Sequence, residues 1–154
     1  MTQRKVLLTG TTGFLGSHIR EHLKKQEGWH IYEIPGRGDF NGFPELSPDI
    51  IIHSGFSVDF SPVGNKKSES VINTEKLIDY ALKTRAGHFV FLSAAGTLGV
   101  GETGQARDEE DFNRTDPAFT EYLNTQYIQD KINCQSLIDK TALPATTLFL
   151  TTVY

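Results

Sequence analysis

The strongest constraint on the fold of this chain is a strand that runs through a glycine-rich turn straight into a helix. Val6-Leu7-Leu8-Thr9 is a short apolar run of strand type, and Gly10-Thr11-Thr12-Gly13-Phe14-Leu15-Gly16 follows it directly. Leu15, Ile19 and Leu23 then recur at helical spacing up to Lys24 and Lys25. Each glycine answers a separate need. The first lets the chain turn sharply, the second lets backbone approach a phosphate, and the third lets helix and strand pack closely. The unpaired N–H groups and the dipole at the helix start attract an anion. Three glycines alone are a weak signal, and the spacing Gly-x-x-Gly-x-x-Gly is not the commonest dinucleotide pattern. Its position between a buried strand and an amphipathic helix makes the pyrophosphate of a dinucleotide the expected ligand. The candidate contacts are Gly10, Thr12, Gly13, Phe14, Leu15 and Gly16.

The rest of the chain alternates in the same way. His30 to Ile34 reads as a second strand stopped by Pro35-Gly36, and Asp49 to His53 is a continuous β-branched run of the kind buried on both faces of a parallel sheet. Val71, Leu77, Ile78 and Ala81 give a helical stripe between Ser70 and Lys83. His88 to Ser93 is another buried strand, Phe119 to Lys140 holds a long helical pattern, and Ala145 to Tyr154 returns to strand. Strand–helix alternation with right-handed crossovers predicts an α/β fold, a three-layer, doubly wound parallel sheet of Rossmann type. So little chain separates Ile34 from Asp49 that a third strand there must be abbreviated. Gly99 to Pro117 reads as a long loop at a strand end, a common place for a site.

At 154 residues the chain suits one domain, residues 1–154. Its single cysteine, Cys134, allows no internal disulfide and suits a reducing compartment. No apolar run is long enough to cross a bilayer and no export signal opens the chain, so a cytoplasmic location is expected. The net charge of -4, with no basic run longer than Lys66-Lys67, argues against nucleic acid and membrane surfaces and for a small-molecule substrate.

In order along nearly the whole chain, Thr9 to Gly16, Gly38-Asp39-Phe40, Asp49 to Asp59, Asn73 to Ala81, Phe89 to Gly99, Tyr127 to Lys131 and Leu148 to Tyr154 resemble the extended short-chain dehydrogenase/reductase family. That family includes the NAD-dependent epimerases and dehydratases and the dihydroflavonol-type reductases. The resemblance implies hydride transfer between NAD or NADP and a nucleotide sugar or carbonyl substrate. It makes Tyr127 the acid–base group, with Lys131 beside it also holding the cofactor ribose. Residues four apart share a helix face, as this pairing requires. A phenol titrates near 10, and acting as a base near neutral pH requires a drop of about three units, or about 4 kcal/mol. A lysine cation about 4 Å away supplies roughly that at an effective dielectric near 20.

The family's serine pattern aligns Ser93 with its first serine and Ala94 with the second, catalytic one, which leaves Ser93 or Thr97 as the substitute donor. Losing such a donor costs about a hundredfold or more in rate. The resemblance also implies cofactor contacts from Asp39, Phe40, Ser54, Gly55, Phe56 and Asn73. At the end of the second strand Arg37 favours the 2′-phosphate of NADP over NAD, with Glu33 placed slightly early for a ribose hydroxyl. The family normally continues past Tyr154 into a C-terminal substrate domain, so the chain reads as a Rossmann domain truncated before it, with little activity alone. The resemblance leaves room for a homodimer. The rival reading is a cofactor-binding module with little or no catalysis. His18-Ile19-Arg20-Glu21-His22 fits an inverted zinc-peptidase pattern, but its helix begins at the phosphate turn and no third ligand is evident, so no metal is expected.

Overall fold

The computed structural model describes residues 3–34, 46–98 and 125–151. Strand β1 (Arg4–Thr9) leads into helix α1 (Phe14–Lys24) and strand β2 (Trp29–Ile34). Strand β3 (Ile50–His53), helix α2 (Glu69–Thr84), strand β4 (His88–Ala94), helix α3 (Gln126–Asp139) and strand β5 (Ala145–Leu150) follow. A short 3₁₀ turn over Ala95–Leu98 ends β4. The five strands form one sheet in the order β2-β1-β3-β4-β5. All four pairings are parallel, with Val6 opposite both Ile31 and Ile50 and Phe89 opposite Ala145.

The order explains the layers. From β1 the chain steps one way to β2, then crosses back over β1 and runs the other way through β3, β4 and β5. Right-handed crossovers in opposite directions place α1 on one face and α2 and α3 on the other. The second face holds the core: Leu7, Ile51, Phe89 and Phe91 of the sheet pack with Val71, Leu77, Ile78 and Ala81 of α2 and Cys134 and Ile138 of α3. Helix α2 is well delimited. Ser68 caps its start by accepting from the Val71 N–H at 3.2 Å, and Arg85 ends it in the left-handed region at φ 54°.

The reversal of strand direction leaves a crevice outside the carboxyl ends of β1 and β3, the place where open α/β sheets bind ligands. The sequence boundaries hold to within a residue for β2, β3, α2 and β4. Helix α3 begins at Gln126 after the extended Thr125, and β5 ends at Leu150; the expected helical pattern from Phe119 to Asn124 and the strand end from Thr152 to Tyr154 lie outside the described residues. The abbreviated third strand and the long loop fall outside the described residues. Among the described residues no helix is long and apolar enough to cross a membrane.

Candidate active site

The glycine turn is built from two positions that the fold demands and one that it leaves open. Gly10 has φ +71°, and a Cβ there would lie 2.5 Å from the Gly55 Cα. A Cβ on Gly16 would lie 2.1 Å from the Gly10 carbonyl oxygen and 2.8 Å from Ser54 Oγ. These two glycines let α1 and the β3 loop close on the turn. Gly13 is exposed, and its Cβ would meet only the Gly10 oxygen, at 3.3 Å. Of the three glycines, the turn itself demands this one least. Gly13 is also the N-cap of α1 and offers no side-chain acceptor, so the first-turn N–H groups of the helix are left for another partner. The Ser54 hydroxyl donates to the Thr9 carbonyl at 2.5 Å and the Gly55 N–H to Thr9 Oγ1 at 3.0 Å, which locks the β3 loop beside the turn.

Two cavities share this turn. The smaller, about 210 Å³, is lined by Gly10, Thr12, Gly13, Ser54, Gly55 and Phe56, with Ser57, Glu69, Ser70 and Asn73 of the α2 side. The larger, about 750 Å³, runs from Gly13, Phe14, Leu15 and Gly16 past Phe56 to Ser93, Tyr127 and Lys131. Among the described candidates, all but Thr97 and Glu33 therefore lie on one of two adjoining hollows, of a size that small ligands and cofactors occupy. Arg37, Asp39 and Phe40 lie outside the described residues. Glu33 forms ion pairs with Lys24 at 3.2 Å and Arg20 at 3.6 Å, which ties β2 to α1.

Lys131 reaches from α3 into the floor of the larger cavity and is only 4% exposed. Its Nζ donates to the Leu92 carbonyl at 2.6 Å and lies 3.7 Å from the Phe56 ring centroid, 4.9 Å from Phe91 and 5.8 Å from Tyr127. Burial pushes its pKa down to about 7, with the neighbouring Cys134 opposing the shift. The aromatic faces favour the charged form, so the amine is held where ammonium and neutral forms exchange near neutral pH. Tyr127 stands one turn earlier on the same helix, edge-on to Phe56 at 6.0 Å and to Phe60 at 5.8 Å. At 5.8 Å from the ring centroid, the lysine cation favours a phenolate over the neutral phenol.

The third candidate is less well placed. Ser93 lines the cavity, but its Oγ is sealed from solvent and has no hydrogen-bond partner among the described residues. The Thr97 hydroxyl is given to the Ala94 carbonyl at 2.7 Å. Neither hydroxyl presents a free donor to the cavity in this arrangement.

Sequence reading missed a buried chain of polar groups centred on His53. Thr9 Oγ1 accepts from the Gly55 N–H and, with the ring proton on Nε2, donates to His53 Nδ1 at 2.8 Å. The Thr74 hydroxyl donates to the Ser70 carbonyl, and therefore accepts from the His53 Nε2–H at 2.9 Å and from the Cys134 thiol at 3.3 Å. One neutral tautomer satisfies every member. Burial, and secondly the Lys131 charge, hold His53 down at a pKa of about 3. The chain links the glycine-turn loop to α2 and α3. A lone histidine at the end of an apolar strand gave no sign of it. The zinc-like triplet is otherwise engaged: His18 Nδ1 meets the Phe14 carbonyl at 2.8 Å and Glu21 pairs with Arg20. No group of three or more potential ligands occurs among the described residues.

A parallel sheet wound in both directions from a glycine turn, with helices on both faces, defines a Rossmann-type α/β protein. More particularly, the chain belongs to the NAD dependent epimerase/dehydratase family, whose model matches residues 6–154. Among solved structures it is similar to the UDP-glucose 4-epimerase of Thermus thermophilus, solved with NAD, at 18% identity and TM-score 0.71, covering 94% of this chain and 54% of that one. It is also similar to GDP-mannoheptose C4 reductase of Campylobacter jejuni, solved with NADP, at 14% identity and TM-score 0.73, covering 100% and 53%. The terminal R domain of the myxalamid PKS-NRPS pathway matches at 21% identity and TM-score 0.73, covering 98% and 49%. At such identities the likeness shows the fold. This chain spans about half the length of these structures. Comparison with curated proteins finds no sequence match.

Proposed function

We propose that this chain is the cofactor-holding part of an oxidoreductase, epimerase or dehydratase that moves hydride between NAD or NADP and a small carbonyl or hydroxyl substrate. The observation that carries this reading is that the glycine turn and the Tyr127–Lys131 pair open onto one cavity of about 750 Å³. The residues present fit a dinucleotide. A bare, exposed Gly13 and an uncapped helix start suit a pyrophosphate, while Ser54, Gly55 and Asn73 flank the adjoining hollow. A bound nicotinamide would supply the hydride chemistry.

Tyr127 would hold or release the proton at its phenolic oxygen as the substrate oxygen gains or loses negative charge. Lys131 in its ammonium form would stabilise the phenolate and reach the cofactor ribose. Phe56, over the Lys131 amine at 3.7 Å, keeps water from it. NADP is the favoured cofactor through Arg37, and the substrate is a small molecule. The reading of a binding module with weak catalysis draws on Ala94 and on the sealed Ser93 hydroxyl, which leave no free donor beside Tyr127.

Calorimetric titration with the oxidised and reduced forms of NAD and NADP tests the core of this proposal. At least one should bind saturably, and Gly13→Val should abolish binding while the fold persists. Unchanged affinity in Gly13→Val would overturn the phosphate-turn assignment. A preference for NAD would overturn the role of Arg37. In a preparation with turnover, Tyr127→Phe should lower kcat by orders of magnitude with cofactor affinity nearly intact, and Lys131→Met should harm both.

A further inference from the structure

The segment after β3 borders both cavities, and over residues 56–60 every second side chain lines the larger one. Phe56, Val58 and Phe60 all line the cavity, whereas Ser57 turns to the smaller hollow and Asp59 lies exposed. That spacing gathers three apolar side chains on one side of the segment. Here that side is left bare: Val58 is 63% exposed and Phe60 70%. The opposite wall is Leu92, Ala94 and Ala95. Apart from Lys131, no charged side chain lines this space among the described residues, and the one ionisable residue between Ser54 and Gly64 is the acid Asp59. Hydrogen bonds from Ser61 hold the Asp59 carboxyl below the usual range, so it is anionic at neutral pH.

The geometry points to an apolar carbonyl compound, an aryl or branched-alkyl ketone or aldehyde, as the substrate class held against the Phe56–Val58–Phe60 stripe; this rests on the cofactor-binding reading above. A nucleotide sugar brings a second diphosphate, and among the described residues this wall offers it neither a cation nor a donor fork, while the uncapped helix start at Gly13 is taken by the dinucleotide. Lys131 does not serve, because it donates to Leu92 and its remaining donors are assigned to the phenolate and the cofactor ribose. An apolar body instead covers Val58 and Phe60 and gains from the loss of their contact with water. An aryl ring also completes a cluster that is already set edge to face, since Phe60 meets Tyr127 at 63° and Tyr127 meets Phe56 at 81°. The carbonyl oxygen is then the one polar atom of the ligand, and Tyr127 is the polar group that belongs to the aromatic cluster.

The test is a calorimetric titration of the chain with 4-phenyl-2-butanone and, separately, with UDP-glucose, in the absence and presence of saturating dinucleotide. The ketone should bind saturably to the dinucleotide-loaded chain and UDP-glucose should not. Phe60→Asp and Val58→Asp, each with unchanged circular dichroism and dinucleotide affinity, should weaken ketone binding tenfold or more. If the dinucleotide binds but the ketone does not, or UDP-glucose binds in its place, the substrate class is overturned and the cofactor reading stands. Ketone affinity unmoved by both substitutions would overturn it too, as would a dimer that Phe60→Asp dissociates without altering ketone binding. Failure of the dinucleotide itself to bind removes both proposals.

Discussion

His53 and Lys131 are two titratable groups buried in one interior, and both are forced toward their neutral forms. An imidazole held at a pKa of about 3 binds no proton in the folded state above that pH, whereas in the unfolded chain it takes one up near 6.5. The unfolded state therefore gains protons first as the pH falls, and stability should drop between about 6.5 and 3 by up to about 1.4 kcal/mol per pH unit. Lys131 acts in the same sense at higher pH: stability should rise as the pH climbs from about 7 toward 10.5, because only the unfolded chain keeps that proton. Urea unfolding midpoints across this range check both windows. His53→Gln should flatten the acid limb and Lys131→Met the alkaline one. Equal slopes in wild type and variants would mean that these groups are solvated in the fold.

At the scale of elements, the start of α3 depends on chain far away in sequence. Its N-cap, Thr125, makes no side-chain cap, and the Thr125 hydroxyl is buried without a partner among the described residues. The orphan first-turn groups are met by the loop after β3 instead: the Gln126 N–H donates to the Ser61 carbonyl at 2.8 Å and the Tyr127 N–H to the Asp59 carbonyl at 2.7 Å. The Gln126 side chain fastens the same joint, accepting from the Gly64 N–H at 2.9 Å and donating to Asp130 Oδ1 at 2.6 Å. Gln126→Ala removes two hydrogen bonds, one of them to a buried carboxylate, and should cost about 1–3 kcal/mol. Hydrogen exchange should show the Gly64 amide losing protection ahead of the sheet amides, and a uniform loss across the fold would contradict the stapling role. This is why the beginning of α3 was not legible while α2 was. Ser68 caps α2 from within its own segment, but the groups that meet the start of α3 come from the distant loop after β3. The Tyr127–Lys131 pairing was legible because i, i+4 spacing is local to a helix. The stripe of Phe56, Val58 and Phe60 could have been found from its alternation alone.

For the whole molecule, the division of labour in the glycine turn ties stability to ligand. The parallel, doubly wound sheet was legible because each buried strand and each amphipathic stripe carries its own period, and right-handed crossovers leave few ways to assemble them; the strand order was not. The His53 chain was not legible, since it joins β1, β3, α2 and α3 through contacts that exist only after the sheet has formed. The same assembly brings the turn of β1, the loop of β3 and the face of α3 onto adjoining hollows, so a dinucleotide there would bridge segments that separate on unfolding. A ligand present at about a hundred times its Kd stabilises the folded state by about 2.7 kcal/mol. For a domain of this size each kcal/mol shifts Tm by about 2–4 °C, so the favoured dinucleotide should raise Tm by roughly 5–11 °C. Gly13→Val, whose Cβ meets only the Gly10 oxygen at 3.3 Å, should unfold near the wild-type temperature yet show no such rise. Gly16→Ala would instead lower Tm before any ligand is added, because its Cβ would fall 2.1 Å from that oxygen. Scanning calorimetry of the three proteins with and without dinucleotide separates the two roles. A ligand-induced rise that persists in Gly13→Val would place the pyrophosphate elsewhere than on this turn.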